Sequence, residues 1–176
     1  MTLRSFAEGR WQEGTGEPRP LLDAATGQTV ATLPTMGPDP GATLAYARDV
    51  GGPALRALTF TQRAAILKTL ARYLSGHLDE FVELSTRTGA TRRDTAIDVD
   101  GGIGTLAVYA SKAARELPDT TILADGDTEP LGKGGTFAGQ HVYTSKLGAA
   151  VQVNAFNFPV WGMLEKLAPA CRGGPS

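Results

Sequence analysis

Val151-Gln152-Val153-Asn154-Ala155-Phe156-Asn157-Phe158-Pro159-Val160-Trp161-Gly162 decides how this chain is read. Residues 149–156 form an apolar run of strand length. Pro159 suits the first turn of a helix, where its missing N–H has no partner to lose, and the pattern predicts a helix from about Trp161 to Ala168. Asn157 therefore lies at a strand-to-helix junction, the place where open α/β sheets hold their ligands. Its amide is of the type that donates a hydrogen bond to a developing oxyanion. An asparagine there also caps helices. Spacing leaves the two readings level.

Outward from this stretch the pattern is helical. Leu67, Leu70, Ala71, Leu74, Leu78, Phe81 and Val82 recur every three or four residues between Phe60 and Thr88, which builds one apolar face. Arg63, Lys68, Arg72, Asp79 and Glu83 are assigned largely to the opposite side. Gly76 reads as a break between two helices and Gly89 as a stop. Ala96, Val99, Ile103, Leu106, Ala107, Ala110 and Ala114 predict another helix over Arg92–Leu117, ended by Pro118. Residues 1–38, punctuated by glycine and proline, read as strands and turns, with Ala25-Thr26-Gly27-Gln28 as one turn. Asp39 is the expected cap of a helix over about 41–50. Residues 118–135 read as a loop and Phe137–Lys146 as a strand. Helices followed by a strand–turn–helix unit indicate the α/β class. One strand and one helix cannot make a parallel sheet, so this unit is expected to need neighbours.

Composition narrows the function classes. Seventeen Lys and Arg against 18 Asp and Glu give no general pull toward nucleic acid or acidic membranes. One cysteine excludes an internal disulfide and a thiolate zinc cluster, and His77 and His141 are too few for a multi-histidine metal site. No apolar run reaches the ~20 residues of a membrane span, so a cytoplasmic setting is expected. Gly101-Gly102-Ile103-Gly104 lies within a helical pattern and reads as a close packing contact. Gly132-Lys133-Gly134-Gly135 lacks a phosphate-loop ending and reads as a loop. Cys171 has no neighbouring histidine and reads as an incidental thiol. His77, His141 and the cluster Arg87, Arg92 and Arg93 read as surface or satisfied groups rather than site residues.

Ala155-Phe156-Asn157-Phe158-Pro159 resembles the Asn-Phe-Pro motif of the aldehyde dehydrogenase superfamily, with Ala-Phe where most members have Pro-Trp. Lys166 matches a lysine of the helix that follows in that family. Ser5-Phe6-Ala7-Glu8-Gly9-Arg10-Trp11 is similar to its opening strand pair. Thr88-Gly89-Ala90-Thr91-Arg92, Asp100-Gly101-Gly102-Ile103-Gly104-Thr105-Leu106, Arg115-Glu116-Leu117-Pro118 and Thr144-Ser145-Lys146 resemble one branch more closely. In that branch, which serves phenylacetate degradation, a semialdehyde dehydrogenase domain precedes a hydrolase domain of the enoyl-CoA hydratase type.

The resemblance implies the N-terminal part of an aldehyde dehydrogenase-like α/β fold. Residues 1–38 would be strands and turns, 39–117 helices, 136–148 a bridging strand, and 149–170 the first strand and helix of a Rossmann-like cofactor sheet. Residues 171–176 would be a truncated tail. It implies a cysteine thiolate attacking an aldehyde, with Asn157 stabilising the oxyanion. Val153, Asn154, Ala155 and Phe156 would line the cleft for NADP, with NAD as the other candidate. The nucleophile and the base glutamate lie downstream of the asparagine in the family, and Cys171 is too close to Asn157 to be that nucleophile. The chain is accordingly expected to be an inactive fragment of an enzyme that acts on a CoA-linked aldehyde. That full enzyme is expected to be a homo-oligomer with no nucleic-acid or membrane partner. The reading from another class is a non-catalytic helical binding or oligomerisation module.

Overall fold

Thr59 starts the longest helical run with a capping box. Its hydroxyl accepts from Gln62 N at 3.2 Å, and the Gln62 side chain accepts from Thr59 N at 2.9 Å. In the computed structural model, which describes residues 1–173, the run divides into α3 (Phe60–Ser75) and α4 (Leu78–Thr86). The break falls at Gly76 and His77. Gly89 follows in the left-handed region at φ 94°, so the predicted stop is where the chain turns. α5 (Arg92–Glu116) is capped by Thr91, whose hydroxyl accepts from Asp94 N at 3.1 Å. Ahead of these lie α1 (Pro40–Tyr46), a π-turn at Ala47–Gly51 and α2 (Gly52–Arg56). The Asp39 carboxylate accepts from Gly41 N at 2.7 Å and Ala42 N at 3.3 Å, the expected cap.

The core is helical. Leu67, Ala71, Val82, Val99, Ile103, Leu106, Ala110, Leu164 and Ala168 form one buried cluster of α3, α4, α5 and α6 (Pro159–Gly173). Two assignments from the periodicity need correction. Arg63, placed on the solvent side, is 1% exposed and lies on the buried stripe with Ala64 and Leu67. On α5 the stripe runs through Val99, Ile103, Leu106, Ala110 and Ala113, and Ala107 and Ala114 are exposed. Alanines flank both edges of that stripe, and their size does not say which edge faces inward.

Among the described residues the strands pair in twos: β1 (Arg4–Ala7) with β2 (Arg10–Glu13), β3 (Thr15–Leu22) with β4 (Thr29–Met36), and β5 (Ile122–Pro130) with β6 (Ala138–Thr144), all antiparallel. β5 overturns the loop expected over 118–135. Its residues, such as Asp125, Gly126 and Asp127, have weak strand preference and exposed side chains. Pairing with β6 organises them, in a register that sets Leu123 opposite Tyr143 and Asp125 opposite His141. Gly132–Gly135 is the turn of this hairpin, so the loop reading of that short stretch stands.

The strand expected over 149–156 is absent from the described residues. That segment makes no ladder, and Val153 and Phe156 are each 87% exposed. A strand needs a neighbour for its backbone groups, and none lies beside it here. α6, predicted for Trp161–Ala168, starts two residues earlier and runs through Pro169 to Gly173. Packing of Leu167 and Cys171 against the core carries it past the proline. Residues 171–173, expected as tail, therefore belong to α6, and 174–176 lie outside the described residues.

Candidate functional site

The predicted site residues gather around the head of α6. Asn157 is exposed, two residues before Pro159, and among the described residues its side chain makes no hydrogen bond. The N-cap position falls to Phe158, which has no side-chain acceptor to offer the helix. A residue of α5 takes that role. Asp98 accepts from Val160 N at 3.1 Å through Oδ2 and from Trp161 N at 2.8 Å through Oδ1. These are two of the orphan amides that open any helix, so the capping duty weighed for Asn157 is already filled. Val153, Asn154, Ala155 and Phe156 lead into Asn157 as unpaired backbone. Asn154 Oδ1 accepts from Lys166 Nζ at 3.4 Å, and the same ammonium donates to the Gly162 carbonyl at 2.7 Å. Lys166 thus ties the strand-side segment to the first turn of α6.

Gly101 and Gly102 explain how α6 can lie against α5. A Cβ at Gly101 would meet the Trp161 ring at 2.5 Å, and one at Gly102 would lie 2.8 Å from Trp161 Cα. The close-packing reading of this glycine pair is correct, and Gly104 meets nothing within 4 Å.

Cys171 stands apart from this cluster. It is twelve residues beyond the start of α6, or roughly 18 Å along the axis. It lines a cavity of about 360 Å³ with Arg56, Arg63, Lys146 and Leu167. Burial pushes its thiol above the ordinary value, and the Arg63 charge opposes that only in part. Both facts agree with an unreactive thiol. His77 pairs with Glu80 at 3.0 Å and stacks near Tyr73, Arg92 pairs with Glu83, and His141 is exposed on β6. No group of three or more His, Cys, Asp or Glu among the described residues is placed to hold a metal ion. No helix there is long and apolar enough to cross a membrane.

The sequence reading missed Asp98 and Arg63. The available signal was the same for both, a charged residue lying in register with a helix's apolar stripe.

The pattern described as the aldehyde dehydrogenase family matches residues 11–175. This chain belongs to the aldehyde dehydrogenase family. It is 41% identical to the 3,4-dehydroadipyl-CoA semialdehyde dehydrogenase of Aromatoleum evansii, over 99% of this chain and 34% of that protein. It is 23% identical to the NADP(+) succinate-semialdehyde dehydrogenase of Escherichia coli K12, over 97% of this chain and 34% of that one. Among solved structures, aldehyde dehydrogenase 21 of Physcomitrella patens, crystallised with the product succinate, superposes with a TM-score of 0.76 at 20% identity. That match covers 99% of this chain and 35% of the moss enzyme. The aldehyde dehydrogenase segment described here therefore spans about a third of the length of the curated relatives it matches.

Proposed function

We propose that this segment supplies the oxyanion donor and one wall of the cofactor cleft of an NADP-dependent dehydrogenase that oxidises a CoA-linked semialdehyde in phenylacetate catabolism. The observation that carries it is the Asn157 amide, exposed at the head of α6 and relieved of capping by Asp98. An amide held there donates to the charge that develops on an aldehyde oxygen under nucleophilic attack.

Val153, Asn154, Ala155 and Phe156 fit one wall of a dinucleotide cleft, because they offer unpaired backbone groups, exposed apolar side chains at Val153, Ala155 and Phe156, and the Asn154 amide held by Lys166. When bound, the dinucleotide is the two-electron acceptor. The activity for which the Aromatoleum evansii relative is named favours a CoA-linked semialdehyde, and that of the Escherichia coli relative favours NADP, with NAD as the alternative. On this reading residues 149–156 become a strand of a Rossmann-like sheet once neighbours pair with it. The complete enzyme is then a cytoplasmic homo-oligomer. Residues 1–176 have no turnover of their own, since Cys171 is remote from Asn157 and poorly ionised.

In a full-length dehydrogenase carrying this segment, Asn157→Ala should lower kcat by on the order of 10²–10³, the usual loss for one oxyanion donor. An unchanged kcat would remove the oxyanion role. Purified 1–176 should form no NADPH from aldehyde and NADP. A ratio of kcat/KM for NADP over NAD below one would reverse the cofactor preference. Growth on phenylacetate after loss of the full-length gene would remove the pathway assignment.

A further inference from the structure

We propose that Asp98 is the positioning residue for Asn157, acting through the first turn of α6; the proposal rests on the oxyanion reading above. Four observations converge on that turn. Asp98 is 3% exposed and makes both of its described hydrogen bonds to backbone amides of α6, 62 and 63 residues away in sequence. Among the described residues no Lys, Arg or His forms an ion pair with it, so the N–H groups and the helix dipole are what balance its charge. Gly101 and Gly102 leave no space between α5 and Trp161, which fixes the same turn laterally. Asn157 has no hydrogen bond of its own among the described residues.

The consequence follows from chain geometry. Only Phe158 and Pro159 separate Asn157 from the clamped Val160, and the proline ring fixes one of the intervening dihedrals. Whatever holds Val160 and Trp161 in place therefore limits how far the Asn157 backbone can move from the head of α6. Catalytic donors lose efficiency when displaced by as little as ~1 Å. A local cap, a Ser or Asp at position 158, would hold the helix end but not its place on α5. Asp98 does both, because its carboxylate belongs to the neighbouring helix.

The test uses the full-length dehydrogenase carrying this segment, with Asp98→Ala, Asp98→Asn, Asn157→Ala and the two Asp98 variants on the Asn157→Ala background. Asp98→Ala should lower kcat per folded subunit by on the order of ten- to a hundredfold, with the KM for the dinucleotide within about twofold of the parent. On the Asn157→Ala background the same change should cost less than about threefold, since the group it positions is gone. Asp98→Asn keeps one acceptor oxygen and should lose no more than about tenfold. If Asp98→Ala fails to fold, Asp98→Asn on the two backgrounds reads the same coupling. Amide exchange at Val160 and Trp161 should quicken in either Asp98 variant. An equal loss on both backgrounds, or an Asp98→Ala enzyme with parental kcat beside an impaired Asn157→Ala enzyme, overturns the positioning role. A fully active Asn157→Ala enzyme overturns the oxyanion reading, and the Asp98 role with it.

Discussion

The Arg63 guanidinium donates through Nη1 to Ser145 Oγ at 3.0 Å, a bond across 82 residues of sequence that ties α3 to the segment leaving β6. Its Nε donates to the Leu58 carbonyl at 3.1 Å, and Nη2 has no partner among the described residues. Burial pulls this guanidinium below its ordinary pKa, opposed only by the negative charge Cys171 carries when ionised. Arg63→Met keeps the apolar stem but leaves two acceptors unserved, and should cost about 2–4 kcal/mol. Ser145→Ala removes one charge-assisted bond and should cost about 1–2 kcal/mol. Urea unfolding of the two variants checks the order, and a Ser145→Ala loss as large as that of Arg63→Met would contradict it.

The glycines of α5 should respond with opposite signs. At Gly102 a methyl group collides with the Trp161 backbone, so Gly102→Ala should destabilise by about 1–3 kcal/mol. At Gly104 a methyl group meets open space. Gly104→Ala should therefore stabilise by up to about 1 kcal/mol through helix propensity. Thermal unfolding midpoints that move in the same direction for both would refute the close contact.

Cys171 should resist alkylation near neutral pH. Burial raises its pKa in the folded chain, so the thiolate is scarcer there than in the unfolded chain. Iodoacetamide should react more slowly with folded than with urea-unfolded protein at pH 8. Because the folded pKa lies above the unfolded one, the thiol's contribution to stability is complete below the unfolded pKa. It is lost as pH rises through the folded value. A folded thiol that reacts as fast as the unfolded one would dispose of this reading.

Asp23 should titrate below the ordinary carboxylate range. Backbone N–H groups of Thr26 and Ala25 donate to its carboxylate, both at 2.9 Å, and lower its pKa. Its contribution to the β3–β4 turn is present above the unfolded pKa and fades as pH falls through the folded one. Carbon-detected NMR titration of the Asp23 carboxyl should show the depressed midpoint, and an ordinary midpoint would mean that the turn does not hold the charge.

Val153 and Phe156 should behave as open apolar surface. Replacing both by Ser in residues 1–176 should reduce hydrophobic-dye fluorescence while leaving the unfolding free energy within about 0.5 kcal/mol of the parent. A large loss of stability would show that these side chains are packed in solution.

The amino-acid sequence by itself determined the helices of this protein, because their signals are local. Thr59 with Gln62, Thr91 with Asp94, Asp39 beside Gly41 and the three-and-four spacing of Leu67, Ala71, Val99 and Ile103 act within a few residues. The Asn-Phe-Pro motif was legible for the same reason, whereas the Trp161 that closes over Gly101 and Gly102 comes from α6 and was not. Only the tertiary structure decided matters that depend on a distant partner. It turned Ile122–Pro130 into a strand through β6 and left 149–156 without a ladder. It also put Arg63 on the buried side with Ser145 as its partner and handed the cap of α6 to Asp98. A backbone amide can find its acceptor next door or 60 residues away, and periodicity describes only the first case.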